Sequence, residues 1–180
     1  MSDAMARPAP TSLTRWTVTT GSSVGSHAAV VINAGGHDWK ASAEGNGAVD
    51  ALYQAVDRAL AEVLGGHPRL LAYDVHALAE GPDAQGRVTV AIAPPASAEG
   101  ARGSGQFTGE VTSTNIVAAS VDAYLQALNG MLGDASWAGV AEEAGSRGRT
   151  RSKSAETADE TGTEFDEADS PIDTTEWFNR

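Results

Sequence analysis

The chain has 180 residues, a formal net charge of −12 at pH 7 and no cysteine. The lack of cysteine excludes disulfides and thiolate metal sites, and the four histidines show no pair at ligand spacing, so no metal or cofactor is expected. The acidic balance disfavours a nucleic-acid surface. With no signal peptide and no long apolar run, we expect a cytoplasmic protein that does not cross a membrane.

The first part of the chain predicts an arm and three strands. Residues 1–14 are rich in proline and small polar residues and predict a disordered arm. Alternating apolar residues then predict strands at 15–20, 26–33 and 37–44. A two-glycine turn at 33–36 indicates a hairpin between the second and third strands.

A glycine-flanked turn follows the third strand and leads directly into a helix. Gly45 and Gly47 allow positive φ or a close backbone approach, and Asn46 is a suitable N-cap. The helix is predicted to end at Leu64, before Gly65. Its free N-terminal amides would suit a carboxylate, although an ordinary strand–turn–helix junction explains the same residues. One apolar face is predicted from residues at helical spacing: Val49, Leu52, Tyr53, Val56, Leu60 and Val63.

The second part of the chain repeats this order of elements. A second helix is predicted to begin at an N-cap formed by Ser113 or Thr114 and to end near Leu132. A loop rich in proline, alanine, serine and glycine is predicted at 94–105. The three strands before the helix are predicted at 69–78, 87–93 and 107–111.

The two predicted helices share a sequence pattern. Residues 121–128 (Val-Asp-Ala-Tyr-Leu-Gln-Ala-Leu) echo residues 49–56 (Val-Asp-Ala-Leu-Tyr-Gln-Ala-Val), and each copy follows three strands. An internal repeat of this kind predicts an α+β domain built as a pseudo-two-fold pair of β-β-β-α units, each sheet backed by a helix. We assign this domain to residues 15–133.

The composition changes after residue 133. A small basic run at 147–153 precedes a strongly acidic stretch at 156–176, and hydrophobic periodicity is lost. Such a segment buries too little apolar surface to offset its ordering entropy, so 134–180 is predicted to be a disordered acidic tail. The tail ends in three large apolar residues, which are either a partner-docking motif or chance members of a solubilising tail: Ile172, Trp177 and Phe178.

Three motifs in order resemble a known family. They are the glycine turn at 45–47 with its Val-Asp-Ala-Leu-Tyr helix, the strand and turn at 71–84, and the segment 114–129 that enters the second helix. Over residues 15–132 the chain is similar to the C-terminal regulatory (dimerisation) domain of 2-isopropylmalate synthase and its citramalate synthase relatives. That resemblance implies a homodimer that binds a feedback amino acid, leucine in the synthase, near the dimer interface.

The resemblance also implies the ligand contacts. Helix-end amides would take the ligand carboxylate, and Asp50 or Asp74 would take its ammonium group. Without a ligand, Asp50 is an ordinary first-turn helix acid, Asp74 a solvated strand residue and Tyr73 a core residue. The implied ligand-binding residues come from the turn, the helix start and the fourth strand with its following turn: Gly45, Asn46, Gly47, Val49, Asp50, Tyr73, Ala77 and Ala84.

The sequence departs from the family pattern at three places. Ala48 replaces the usual proline, Asn115 replaces an aspartate, and residues 109–111 read Gly-Glu-Val in place of Gly-x-Gly. The catalytic barrel that precedes this domain in the family has no counterpart within 180 residues, and no nucleophile–base spacing stands out. We therefore expect no catalysis and no catalytic residues.

Two functions remain open from the sequence. The first is a stand-alone regulatory and dimerisation module that binds a leucine-like amino acid or regulates a separate synthase. The second is a repurposed scaffold that presents its acidic tail to a protein partner or, as a precursor, to a modifying enzyme. An apolar face with Leu70, Ala72 and Leu78 is expected to be covered by a second copy of the chain.

Overall fold

The computed structural model describes residues 11–156. The chain divides into a compact unit, Met1–Arg149, and a second, Thr150–Arg180, of which the described residues continue the last helix. Short 3₁₀ turns lie at Gly100–Gly103 and Ala135–Trp137. The strands and helices are β1 (Ser12–Gly21), β2 (Val24–Ala34), β3 (His37–Gly45), α1 (Ala48–Ala59), α2 (Ala61–Leu64), β4 (Arg69–Ala77), β5 (Gly86–Ala93), β6 (Phe107–Ser113), α3 (Ile116–Leu132) and α4 (Val140–Glu156).

Two antiparallel three-stranded sheets carry the fold, with strand orders β1-β2-β3 and β4-β5-β6. Both sheets have a register shift at the same place in their first strand. It lies between Leu13 and Arg15 in β1 and between Leu70 and Ala72 in β4. The predicted pseudo-two-fold pair of β-β-β-α units is therefore confirmed, down to a shared bulge.

The two long helices fill the space next to the sheets. Helix α1 packs on β2 and β3, helix α3 packs on β5 and β6, and the two helices also touch each other. The inward-facing residues of β2 and β5 are aliphatic and fully buried, as a strand covered on one face requires. The largest buried side chains come from both halves: Ile32, Leu52, Leu60, Ile92, Leu128 and Met131.

The turn predictions meet different outcomes. Gly35 and Gly36 both have positive φ, as a two-glycine hairpin turn between β2 and β3 requires. The N-cap of α3 is Asn115, whose side chain accepts a hydrogen bond from Ala118 N at 3.1 Å, so Ser113 and Thr114 were wrong predictions. Ser113 Oγ instead accepts from Asn115 N at 3.0 Å, one step before the cap.

The boundaries of the first half also shift. Strand β1 begins at Ser12, inside the predicted arm, and residues 1–10 lie outside the described part of the chain. The predicted single helix to Leu64 is broken at Leu60, which has φ −95° and ψ 13°, and it resumes as α2 before the left-handed Gly65. Asn46 precedes the N-cap, which is Gly47, so its predicted capping role was wrong.

The sequence repeat is real but displaced by about one helical turn. Val49 is the second residue of α1, whereas Val121, its match in the sequence echo, is the sixth residue of α3. Because a shift of one turn leaves a side chain on nearly the same helix face, the echo preserves the buried stripe without marking equivalent positions. The structure makes Gly47 and Asn115, the two N-caps, equivalent.

Residues 135–137 form a 3₁₀ turn and residues 140–156 form helix α4, which corrects the prediction that disorder begins at 134. Trp137, Ala141 and Ala144 are buried in the compact unit. The composition of α4 misled the prediction, because the buried face of this helix is made of alanine and glycine and carries almost no hydrophobic signal. Residues 157–180, with the proposed docking residues Ile172, Trp177 and Phe178, lie outside the described part.

Small residues let α4 approach the β2–β3 hairpin closely. A Cβ added to Gly35 would overlap the carbonyl group of Ala141, and one added to Gly145 would overlap the carbonyl oxygen of Gly35. Arg149 Nη1 donates to the carbonyl oxygens of Gly35 and Gly36 at 3.1 and 3.0 Å. The helix therefore covers the hairpin through backbone contact and a charged hydrogen-bond donor.

Candidate functional site

The glycine turn between β3 and α1 depends on a close backbone approach at Gly45. Gly45 lies so close to the start of α1 that an added Cβ would overlap the backbone nitrogen of Ala51. Gly47 has φ −164° and ψ 174°, which is ordinary extended backbone, and no atom lies within 4 Å of an added Cβ. The predicted close approach is therefore found at Gly45, and the predicted need for positive φ is found at neither glycine.

Asp50 occupies the positive end of α1. Its Oδ2 accepts hydrogen bonds from Asn46 N and from Gln54 Nε2, both at 2.9 Å. A carboxylate in the first turn that reaches back to an amide before the helix satisfies an amide that would otherwise need water and complements the dipole. Any ligand carboxylate at this turn would meet a negative charge that is already present.

An open cleft lies beside the turn, with a volume of about 430 Å³. Arg58 Nη1 donates to the carbonyl oxygen of Ser42 on β3 at 2.7 Å, and His27 and Glu44 lie 3.6 Å apart across β2 and β3. The sequence analysis missed these residues. The signal for two of them was the four-residue spacing from Asp50, which places Gln54 and Arg58 on one face of α1. The cleft is lined by His27, Ala28, Ser42, Ala43, Glu44, Gln54 and Arg58.

Tyr73, predicted as a ligand contact, lies on β4 and reaches into the helix layer. Its hydroxyl is 2.8 Å from Ser120 Oγ on α3, and its ring meets Tyr53 of α1 edge to face at 6.3 Å between centroids. Ala77 lies at the end of the same strand, and Ala84 in the following turn donates from its backbone N to Gly81 O. Within residues 11–156 no hydrogen bond joins Ala77 or Ala84 to the glycine turn.

A cluster of two tyrosines and an aspartate joins helices α1 and α3. The rings of Tyr53 and Tyr124 stack at 4.3 Å, and the Tyr124 hydroxyl donates to Asp57 Oδ1 at 2.5 Å. His67 Nδ1 lies 3.4 Å from Asp57 Oδ2. Burial raises the pKa of Asp57 to about 6, against the opposing hydrogen bonds from Tyr124 and His67. Burial, then the charge of Asp57, raises the pKa of Tyr124 well above its usual value.

Strand β4 is exposed along its whole length. Four of its residues face the same side of the sheet as the buried Ile92, Val90 and Val88, with which three of them pair. We call these four residues the β4 shelf; three are large and well exposed, Leu70 at 50%, Tyr73 at 38% and Val75 at 43%. The β4 shelf consists of Leu70, Tyr73, Val75 and Ala77.

The β4 shelf corrects the predicted apolar face. Leu70 and Ala72 were expected on one face of the strand, but the register shift between them places Leu70 on the side of Tyr73 and leaves Ala72 on the other. A bulge inserts one residue and reverses the alternation, which a period-two pattern cannot show. Leu78 follows the end of the strand and is exposed.

The described residues show neither a metal-binding cluster nor a membrane-spanning helix. Residues 11–156 contain no cluster of three or more histidine, aspartate or glutamate side chains that could hold a metal ion. No helix in that part of the chain is long and apolar enough to cross a membrane.

Paired β-β-β-α units with one uncovered edge strand define a pseudo-symmetric α+β domain of the regulatory type that the motifs indicated. The chain belongs to the family of the LeuA allosteric (dimerisation) domain, whose sequence model matches residues 1–132. The match ends at the last residue of α3, so the 3₁₀ turn at Ala135–Trp137 and helix α4 lie beyond it.

Curated relatives agree with this assignment. The chain is 38% identical over 102 residues to a 2-isopropylmalate synthase of Dechloromonas aromatica, covering 57% of this chain and 18% of that protein. It is 38% identical over 110 residues to the enzyme of Sediminispirochaeta smaragdinae, covering 61% and 19%. It is 41% identical over 104 residues to that of Ralstonia nicotianae, covering 57% and 18%. The matched region of the chain thus covers less than a fifth of the length of each of these relatives.

Proposed function

We propose that this protein is a non-catalytic regulatory module that forms a homodimer through the β4 shelf and binds a small branched-chain amino acid beside the glycine turn. In this proposal its dimeric form regulates a synthase by association. Membership of the allosteric (dimerisation) domain family supports the proposal. The observation that carries it is the exposure of three large apolar side chains on the core-facing side of β4.

The β4 shelf has the properties of a self-complementary interface. Its apolar side chains continue the buried face of β5, so a second copy would extend an existing core. In a two-fold dimer the same patch serves on both chains, and a strand is well suited to this because it can lie beside its own copy. Leu71, the bulged residue of β4, adds a further exposed apolar side chain at 49%.

The association has a direct test with a matched control. Val75→Lys places a charge on the β4 shelf, whereas Val24→Lys places one at the start of β2, where valine is also exposed at 52%. Sedimentation velocity of the full chain should give a dimer for the wild type and for Val24→Lys, and a monomer for Val75→Lys. A wild-type monomer at high micromolar concentration would refute the proposed interface.

The ligand proposal uses the cleft beside the turn. Arg58 can hold a carboxylate and Glu44 can hold an ammonium group, so the cleft offers both charges that a free amino acid carries. Small residues at Ala28 and Ala43 leave room for a branched side chain. Of the residues expected from the family, Gly45, Asn46, Gly47, Val49 and Asp50 lie at or next to the turn.

Calorimetry tests this ligand class. Leucine, isoleucine and valine are titrated into the full chain, with N-acetyl-leucine and leucine amide as controls that each lack one charge. We expect binding of at least one free amino acid and loss of that binding in Arg58→Gln. If none of the three amino acids gives heat, the ligand part of the proposal fails while the dimer part stands.

A second candidate function is a scaffold that presents the C-terminal tail to a protein partner or to a modifying enzyme. The docking of α4 on the β2–β3 hairpin favours it, because Arg149 is tied to Gly35 and Gly36 shortly before the tail begins. Capture of a partner should then be lost when residues 157–180 are deleted and kept in Val75→Lys. Equal capture by the deletion variant would exclude this function.

A further inference from the structure

Tyr73 is the residue of the β4 shelf that is bonded to the helix layer. It is also the least exposed of the three large shelf residues, at 38% against 43% for Val75 and 50% for Leu70. The ring therefore lies partly on the shelf while the hydroxyl reaches α3. The helix layer can therefore fix the orientation of a side chain whose ring lies on the shelf surface.

Ser120 determines how the Tyr73 hydroxyl is bound. Ser120 is fully buried, and its Oγ donates its single proton to the carbonyl oxygen of Ile116 at 2.6 Å. The Tyr73 hydroxyl at 2.8 Å must therefore be the donor in its bond to Ser120 Oγ. The hydrogen bonds therefore run from the Tyr73 hydroxyl to Ser120 Oγ and from there to the carbonyl oxygen of Ile116, which leaves the Tyr73 hydroxyl one defined orientation.

Tyr53 supports the same arrangement from α1. Its hydroxyl donates to the carbonyl oxygen of Ser120 at 3.1 Å, and its ring meets the edge of Tyr73. Ser120 thus accepts a hydrogen bond from Tyr53 at its backbone carbonyl oxygen and one from Tyr73 at its side-chain Oγ. The Tyr53 hydroxyl binds the Ser120 backbone and not Tyr73, so only the bond to Ser120 Oγ holds the Tyr73 hydroxyl.

We infer that Ser120 is a positioning residue for the β4 shelf, which it prepares for a second copy of the chain by holding the Tyr73 side chain in one orientation. This inference rests on the proposed dimer. Ordering a long side chain opposes association, and an interface residue that is already ordered avoids much of that cost. A tyrosine near the centre of an apolar patch is a common binding hot spot, so its orientation matters more than that of its neighbours.

A double-mutant cycle tests the inference. Ser120→Ala and Tyr73→Phe each remove one end of the hydrogen bond, and each should weaken dimer association about threefold to tenfold. The double variant should be no weaker than the weaker single variant, because both changes remove the same bond. Tyr53→Phe is the matched control, since it removes a hydroxyl from Ser120 without touching its side chain, and its dissociation constant should match that of the wild type.

The readout is the dimer dissociation constant from sedimentation equilibrium, with thermal unfolding of the same samples. A purely structural role for Ser120 would lower the melting temperature and leave the dissociation constant unchanged, which would overturn the inference. If Ser120→Ala does not fold, Tyr73→Phe decides alone, because this half-exposed ring tolerates loss of its hydroxyl. Wild-type dimers with unaltered affinity in both single variants would refute the positioning role only, whereas wild-type monomers would refute it together with the proposed dimer.

Discussion

The two halves of the domain share one topology but treat their first strand differently. In β1, Leu13, Trp16 and Val18 are half-buried and pack against the core. In β4, Leu70 and Val75 are exposed at 50% and 43% although they occupy matching positions beside the same bulge. The two matching strands therefore differ in how far the rest of the chain covers them, and the exposed strand is the surface that the proposed dimer would use.

The cover of β1 comes partly from the other half of the domain. Thr11 and Asn129 of α3 exchange two hydrogen bonds, at 2.7 and 2.8 Å, just before β1 begins. Helix α4 adds contacts at the β2–β3 hairpin of the same sheet. The repeat therefore determines where each strand lies, while contacts that are not repeated, such as that of Thr11 with Asn129, determine which strand stays exposed.

The largest effect is expected at the covered hairpin. Gly35→Ala meets both a positive φ and the backbone of Ala141, whereas Gly36→Ala meets the same kind of φ and only the flexible end of Arg149 at 3.2 Å. We expect Gly35→Ala to lower the free energy of unfolding by about 3 kcal/mol and Gly36→Ala by about 1 kcal/mol. Urea denaturation measures both, and equal losses would mean that α4 does not dock here.

The contact between the halves should be sensitive to pH. Asp57 of α1 has a pKa raised from 3.8 to about 6, so its contribution to stability is fully present below pH 4 and is lost as the pH rises through 6. The loss in free energy of unfolding is about 3 kcal/mol for a shift of this size. Asp57→Asn should flatten the stability profile between pH 4 and 7. A variant with the wild-type slope would show that another group is responsible.

Removal of the matching leucines Leu13 and Leu70 should have smaller effects on stability. Leu13→Ala should lower the free energy of unfolding by about 1.5 kcal/mol at any protein concentration, because Leu13 packs against the core of its own chain. Leu70→Ala should cost under about 0.5 kcal/mol in dilute protein and more as dimers form. Chemical denaturation at two protein concentrations distinguishes them. A concentration-independent loss in Leu70→Ala would count against the shelf as an interface.

Small and equal effects are expected where the halves are alike. Arg58 on α1 donates to Ser42 O on β3 at 2.7 Å, and Gln126 on α3 accepts from Glu110 N on β6 at 3.1 Å. Each helix thus covers a backbone group on the free edge of its sheet, which limits unwanted strand pairing. Arg58→Ala and Gln126→Ala should each cost about 0.5–1 kcal/mol. Clearly unequal losses would show that the two edges are not equivalent.

Parts of the site were visible in the sequence because they are local. The glycine turn followed from three residues in a row, and Gly45 does make the close approach that its lack of a side chain allows. Arg58 and Glu44 could not be assigned to one cleft in this way, since they lie on different elements. Ser120 lies within the predicted second helix, and its bond to Tyr73 joins residues 47 positions apart.

Hydrophobic periodicity and turn residues by themselves determined the six strands, the two long helices and their duplication, because these signals act over a few neighbouring residues. Tertiary structure alone decided that β1 is covered and β4 is open, that a bulge moves Leu70 to the side of Tyr73, and that a glycine- and alanine-rich segment becomes a docked helix. The physical reason is that the burial of a side chain depends on which residues, distant in the sequence, pack against it. A local pattern states that a face is apolar, but it cannot state what will cover it.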